Sequence, residues 1–367
     1  MSESVTPKTT EATEKRQALT AYQVITDQFV KALDGGTVPW QRKFKLPQNM
    51  VSNKEYQGRL NRLLLSLNEF TSPYYLTFRQ VLDKEGKIKE GEKGSFVTWW
   101  KKFEKMSDGS LRPVKDDEKK QEIAHVDDDK ASQQTDNEVE SNAENVAEVT
   151  GTGQTLSFLR YYKVFNVPAQ TEGIAIPEIK VEPTNKTEFE IENEALDRAL
   201  GFIDQLDVCP IIDRGTQPCY VTDKKEVWMP PETNYPSIHD WCHDLFHEVA
   251  HAADHALGRK DMGSQMAGYA YGELVAEMSA SFLCNDFGLM DKVNMKNSQS
   301  YVAGWAAKLK SDPKMVVLAA SRAQKVCRLL KHEITIEQSQ TQKQNQEQTL
   351  KTIPSTTQEE GIITPTV

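Results

Sequence analysis

The chain has 367 residues, a net charge of −10 and a mean hydropathy of −0.60, which describe a polar, acidic, soluble protein with room for two domains of ordinary size. No apolar run approaches the roughly 20 residues of a membrane span, and the start, MSESVTPKTTEATEKRQ, lacks the apolar stretch of a signal peptide. A cytoplasmic protein with no membrane partner is expected, and the five scattered cysteines, without a CxxC pair, suit a reducing compartment.

Residues 1–18 read as a disordered tail rich in Thr, Glu and Ser. Apolar positions at Leu19, Tyr22, Ile25, Phe29 and Leu33 then recur at helical spacing, and Gly35–Gly36 ends the helix. VPWQRKFKLPQN is extended, and GRLNRLLLSLNEF is a second short helix. The segment from Tyr74 to Lys105 mixes a short helix, glycine turns and an aromatic strand, Phe96–Phe103. Between about residues 40 and 105, Lys and Arg outnumber Asp and Glu by roughly two to one. The stretch from Asp116 to Thr150 reverses that balance and holds no aromatic residue. Residues 106–154 are read as an acidic, disordered insertion between two strands, SFVTWWKKF and LRYYKVFNV, that would pair. A long hairpin loop is tolerated because closure entropy grows only logarithmically with length.

These boundaries give a first domain over residues 19–168 and a proline-bearing linker over 169–186. A second domain follows over 187–335, then a low-complexity, disordered tail over 336–367. The second domain opens with the helix NEALDRALGFIDQL and a strand-like PCYVTDKKEVWMP. After it come a histidine-rich helix and two more, YAYGELVAEMSASFLCNDFG and a long one running from SYVAGWAAKLK through RAQKVCRLLKHEI. The expected class is α+β, with an N-terminal α+β domain and a mainly helical C-terminal one.

Histidines stand at every fourth position from 239 to 255, and only His247 and His251 belong to a motif with a mechanism, HEVAH. Residues four apart on a helix share a face, so both rings can reach one Zn²⁺, and Glu248 lies about 100° round, beside the metal, as a catalytic base. HExxH needs a third ligand, and YGELVAEMSASF on the next helix offers Glu273 as ligand with Glu277 as the alternative. The other glutamate would accept a hydrogen bond from a ligand imidazole. Each four-residue step rotates the face by about 40°, so His239 and His243 drift away from the pair and His255 would ligate only if the helix bent. Tyr269 and Tyr271 are possible oxyanion stabilisers.

The basic module interleaves rings and cations, the arrangement that binds single strands by stacking bases while tracking phosphates. The candidate DNA contacts are Trp40, Arg42, Lys43, Tyr56, Arg59, Asn61, Arg62, Arg79 and Lys93. VTWWKKF alternates, so Trp99 and Trp100 face opposite ways.

The segments YQVITDQFVKALDGGTVPWQRKF, YQGRLNRLLL, YLTFRQ, GEKGSFV and YYKVFNV together resemble the N-terminal single-strand-binding domain of ArdC-type antirestriction proteins, which TraC-type primases share. LFHEVAHAADH followed by ELVAEMSASFLC resembles the zincin-like metallopeptidase domain that follows it in the same family. The resemblance implies a protein of a plasmid, phage or integrated element that protects incoming DNA from restriction in a bacterial host. It also implies a metal at His247, His251 and a downstream glutamate, with Glu248 catalytic. Ala253–Asp254 and Gly272 depart from the family, which commonly has Thr-Gly and a further glutamate there. Two rival readings stay open: a single-strand-coating protein whose metal site is structural or vestigial, and a protease of a host or phage protein that its DNA domain only localises.

Overall fold

The structure is a computed structural model that describes residues 19–43, 46–106, 110–114, 155–177, 185–259, 266–295 and 299–336. Both tails and nearly all of the acidic stretch lie outside the described residues.

The N-terminal module begins with α1 (Ala21–Asp34), capped by Thr20 and Gln23 in a reciprocal capping box. Its buried face carries Tyr22, Ile25, Phe29 and Leu33 as the spacing predicts, whereas Leu19 stays exposed. After a 3₁₀ turn at Pro39–Gln41 come β1 (Gln48–Asn49), α2 (Arg59–Ser66), β2 (Tyr74–Thr77) and α3 (Phe78–Asp83). Next are β3 (Lys87–Ile88), β4 (Ser95–Lys105), β5 (Leu111–Pro113), β6 (Thr155–Asn166), α4 (Val167–Gln170) and β7 (Thr171–Glu172). The main sheet has the order β1-β2-β6-β4-β5. Its spine is the antiparallel pairing of β4 with β6, from Ser95 opposite Val164 to Glu104 opposite Thr155. This is the pairing of SFVTWWKKF with LRYYKVFNV that their flanking positions suggest.

Two boundaries differ from the sequence reading. β5, inside the stretch taken as insertion, pairs antiparallel with the end of β4 and adds an edge strand to the main sheet. β7, inside the stretch taken as linker, pairs with β3, so the N-terminal module continues past residue 168.

The C-terminal domain comprises α5 (Glu188–Ile203), β8 (Ile211–Asp213), β9 (Cys219–Val221), β10 (Glu226–Met229), α6 (Ile238–Ala256), α7 (Met266–Phe287), α8 (Gln299–Ser311) and α9 (Met315–Leu330). The stretch expected as one last helix is two, because Asp312–Pro313 interrupts it: proline has no N–H to donate and its ring clashes with the preceding turn. A small sheet of order β8-β10-β9 leaves β9 at its edge.

The two domains are not beads on a string. One apolar core runs from Phe29 of α1 through Trp40 and Leu63 of α2 to Phe246, Leu274 and Val316 of α6, α7 and α9. Trp40 meets Trp305 of α8 edge to face at 5.7 Å, and the Thr26 hydroxyl donates to the Pro313 carbonyl at 2.6 Å. No helix among the described residues is long and apolar enough to cross a membrane.

Candidate metal centre and nucleic-acid interface

α6 starts where the Ser237 hydroxyl accepts the Asp240 N–H at 3.2 Å. It buries Cys242, Leu245, Phe246, Val249 and Ala250, which turns the rings of His247 and His251 toward α7. α7 is apolar through Leu274, Val275, Ala276 and Met278, and it brings Glu273 to the same place. The His247 and His251 Nε2 atoms lie 3.1 Å apart. Glu273 oxygens lie 3.6 Å from His247 Nε2 and 3.7 Å from His251 Nε2. The three donors fall within 4.8 Å of one another, the one such cluster of three among the described residues. Zinc bonds of roughly 2.0–2.2 Å put tetrahedral donors about 3.3–3.6 Å apart, so these side chains fit a divalent ion with little movement.

The two glutamates of α7 part company. Glu277 lies one turn further on and accepts the Tyr301 hydroxyl at 3.0 Å. That bond comes from α8, rather than from a ligand imidazole as the sequence suggested. Tyr269 is exposed and bonds to Glu273, whereas the Tyr271 hydroxyl is spent on the Leu318 carbonyl at 3.3 Å.

Burial works against charge on both rings. At His247 the carboxylates of Glu273, Glu277 and Glu248 overrule it and push the ring up to about 9. The His251 ring, buried and facing His247, falls to about 4. Burial also lifts the Glu248 carboxyl above the usual carboxylate range. One Glu248 oxygen accepts the backbone N–H of Tyr220 at 2.7 Å, which holds the side chain against the edge strand β9. The Tyr220 hydroxyl meets His255 Nδ1 at 2.8 Å, so His255 is engaged away from the metal donors. His239 lies 3.6 Å from Glu192, and His243 lies 3.4 Å from Asp244. His247, His251 and Glu273 open onto a cavity of about 380 Å³ that Glu248, Tyr220, Tyr269 and Arg259 also line. Sequence reasoning missed Tyr220 and Arg259. Only the adjacency of a strand-like segment to the histidine helix pointed to the first, and nothing local pointed to the second.

The nine residues proposed to touch DNA divide sharply. Trp40 is fully buried, Tyr56 is buried with its hydroxyl near Asn49, and neither ring can stack on a base. Asn61 is buried too: it accepts the Thr98 N–H at 2.7 Å and donates to the Thr98 carbonyl at 2.9 Å, tying α2 to β4. Arg59 faces α7, not solvent, and pairs with Asp286 through two bonds of 2.8 and 2.6 Å. Trp40 and Arg59 are structural because the module shares its core with the C-terminal domain, and Tyr56 and Asn61 because they pack inside the N-terminal module itself. Arg42, Lys43 and Arg62 line one cavity of about 260 Å³ with Phe70, although Glu69, Asp291 and Glu55 respectively pair with them. Arg79 sits 4.0 Å from Asp83 on α3, and Lys93 is exposed in the turn before β4.

A second cationic, aromatic strip lies on β4. The Lys101 ammonium sits over the rings of Trp99 and Phe103 at 5.8 and 5.6 Å, and Arg160 of β6 stands directly opposite Trp99. Strand alternation puts Trp99, Lys101, Phe103 and Arg160 on one side of the sheet, while Trp100 packs against the core.

Comparisons with known proteins match two successive stretches of the chain. Residues 20–165 match the N-terminal domain of the anti-restriction factor ArdC, and residues 198–322 match a zincin-like metallopeptidase domain. The uncharacterized protein y4eC of Sinorhizobium fredii (strain NBRC 101917 / NGR234) is 27% identical over 323 residues, covering 83% of this chain and 89% of its own. The DNA primase TraC of Escherichia coli is 23% identical over 352 residues, which are 92% of this chain and only 29% of the primase. Among solved structures, the metal-free antirestriction ArdC protein from plasmid R388 superposes with a TM-score of 0.55 at 24% identity, over 85% of this chain and 96% of that one. Its Mn(II)-bound form gives 0.54 at the same identity, over 86% and 98%. At that identity the likeness establishes the fold. The chain belongs, by its two domains in order, to the ArdC-type antirestriction family, an ArdC N-terminal domain followed by a zincin-like metallopeptidase domain.

Proposed function

We propose that this protein is a metal-dependent antirestriction factor of a mobile element, whose N-terminal module binds single-stranded DNA and whose zincin-like domain is a zinc metallopeptidase. The observation that carries the catalytic half is the meeting of His247, His251 and Glu273 within 4.8 Å, next to Glu248. The relative from plasmid R388 was crystallised with Mn(II), which supports a divalent ion in this chain as well. When bound, the ion would polarise a peptide carbonyl and lower the pKa of a water. His247, His251 and Glu273 would hold it. Glu248, kept above the usual carboxylate range by burial, is suited to take a proton and return it to the leaving amine. The Tyr220 N–H fixes one Glu248 oxygen and leaves the other for that transfer. Tyr269, exposed beside Glu273, is the nearer of the two tyrosines for steadying a developing oxyanion.

For DNA, the β4 strip of Trp99, Lys101, Phe103 and Arg160 supplies what a single strand needs, rings for bases and cations for phosphates. The Arg42–Lys43–Arg62 cavity offers a second group of cations for phosphates. Protection of incoming DNA, measured as transfer of an unmodified plasmid into a restricting bacterial host, tests the whole reading. Glu248→Gln should abolish protection while single-strand binding persists, and a doubly substituted Trp99→Ala, Lys101→Ala protein should lose both. Full protection by Glu248→Gln would instead support a coating protein with a non-catalytic metal site.

A further inference from the structure

We propose that Arg259 is the substrate-anchoring residue of the metal cleft and that it receives a carboxylate of the peptide. This specificity rests on the metallopeptidase reading above.

Four observations converge on it. Gly258, with φ of 78°, ends α6 in the left-handed conformation that favours glycine, and the Arg259 N–H folds back onto the Asp254 carbonyl at 3.2 Å. That turn returns the arginine to the cavity lined by His247, His251 and Glu273. Secondly, α7 has no side chain where the guanidinium lies, since a Cβ on Gly272 would overlap Arg259 Nη1, Nη2 and Cζ. Thirdly, its bonds are loose, 3.3 Å from Nη1 to Asp254 and 3.2 Å from Nη2 to the Gly268 carbonyl, and among the described residues they use two of its five N–H donors. Fourthly, Asp254 is 1% exposed and already pairs with Arg322, whose Nη2 also donates to the Asp254 carbonyl at 3.0 Å. One buried carboxylate thus faces two guanidinium groups, and the excess positive charge borders the cleft.

Proton transfer by Glu248 does not use this charge, and among the described residues the hydrogen bonds of the Arg259 guanidinium go to Asp254 and Gly268 rather than to the three metal donors. A planar guanidinium with spare donors pairs best with a carboxylate, in two parallel bonds. The peptide could present one from its C-terminus or from an Asp or Glu side chain.

Binding can be read without turnover on full-length, zinc-loaded Glu248→Gln protein by fluorescence anisotropy. Three labelled peptides built from the same neutral residues serve as probes: an amidated one, one with a free C-terminal carboxylate, and an amidated one carrying a single glutamate. At least one acidic peptide should bind about ten-fold tighter than the neutral amide, the scale of one charge-assisted contact. The difference should vanish in Arg259→Gln, survive in part in Arg259→Lys, and shrink in Gly272→Ala, which displaces the guanidinium and leaves Arg259 in the chain. Whichever acidic peptide shows the gain identifies the source of the carboxylate. Acidic peptides that bind no tighter than the amide, or a preference that survives Arg259→Gln, overturn the assignment. Zinc measured on the same samples separates the failures. About one ion per chain without the preference removes the role of Arg259 alone, whereas no zinc removes the metallopeptidase reading and this inference with it.

Discussion

Arg59 of α2 and Asp286 of α7 form a two-bond ion pair, 2.8 and 2.6 Å, that bolts the N-terminal module to the helix carrying Glu273. The guanidinium also lies over the Phe282 ring at 5.2 Å and donates to the Phe282 carbonyl at 3.3 Å. Lys331 adds a second cation to Asp286. Both side chains of the pair are mostly buried, with 14% exposure for Arg59 and 16% for Asp286, so removing Arg59 leaves a buried carboxylate with Lys331 as its one cation among the described residues. Arg59→Ala should therefore destabilise the protein by about 1–3 kcal/mol in urea unfolding, with single-strand affinity of the folded protein unchanged. A selective loss of DNA affinity with intact stability would return Arg59 to the DNA interface.

The same pair sets an acid sensitivity. Burial opposes the charged Asp286, but Arg59 and Lys331 overrule it and hold the carboxyl below the usual range. A folded pKa below the unfolded one stabilises above the unfolded value and is lost as pH falls through the folded value. Asp286→Asn should thus cost stability at pH 7, and its gap from the wild type should close as pH drops from about 4 downward. A gap that is constant with pH would mean that Asp286 acts through packing alone.

Trp40 and Trp99 are expected to behave as opposites. Trp40 fills the shared core, so Trp40→Ala should cost about 3–5 kcal/mol. Trp99→Ala, at a half-buried ring, should cost less stability than Trp40→Ala and weaken binding of a short oligonucleotide by about 1–3 kcal/mol if one base stacks on it. Lys101→Gln should lower affinity and flatten its salt dependence. Gel shifts at two salt concentrations with urea titrations of the same proteins check all three.

What the sequence disclosed follows from the range of each interaction. His247 and His251 are legible because a helix itself brings positions four apart together. Glu273 is legible as a class, a carboxylate on an apolar helix, but choosing it over Glu277 needs the packing of α7 on α6 and the Tyr301 hydroxyl from α8. The β4–β6 pairing was legible in two aromatic strands flanking a polar stretch. The DNA contacts were misjudged where residue type stood in for exposure. Trp40, Tyr56, Arg59 and Asn61 sit in a basic, aromatic context, yet their partners include Trp305, Asp286 and Thr98, the first two more than 200 positions away. Tyr220 and Arg259 acquire their roles only from the edge strand and from the turn after α6, which no local pattern records.

The central claim is a divalent ion held by His247, His251 and Glu273, and metal content by mass spectrometry tests it most directly. The wild type, Glu248→Gln and Glu277→Gln should each carry about one zinc per chain after reconstitution. His247→Ala, His251→Ala and Glu273→Ala should carry none while keeping their helical content. Zinc retained in Glu273→Ala and lost in Glu277→Gln would hand the third position to Glu277, and zinc absent from the wild type would contradict the metal centre altogether.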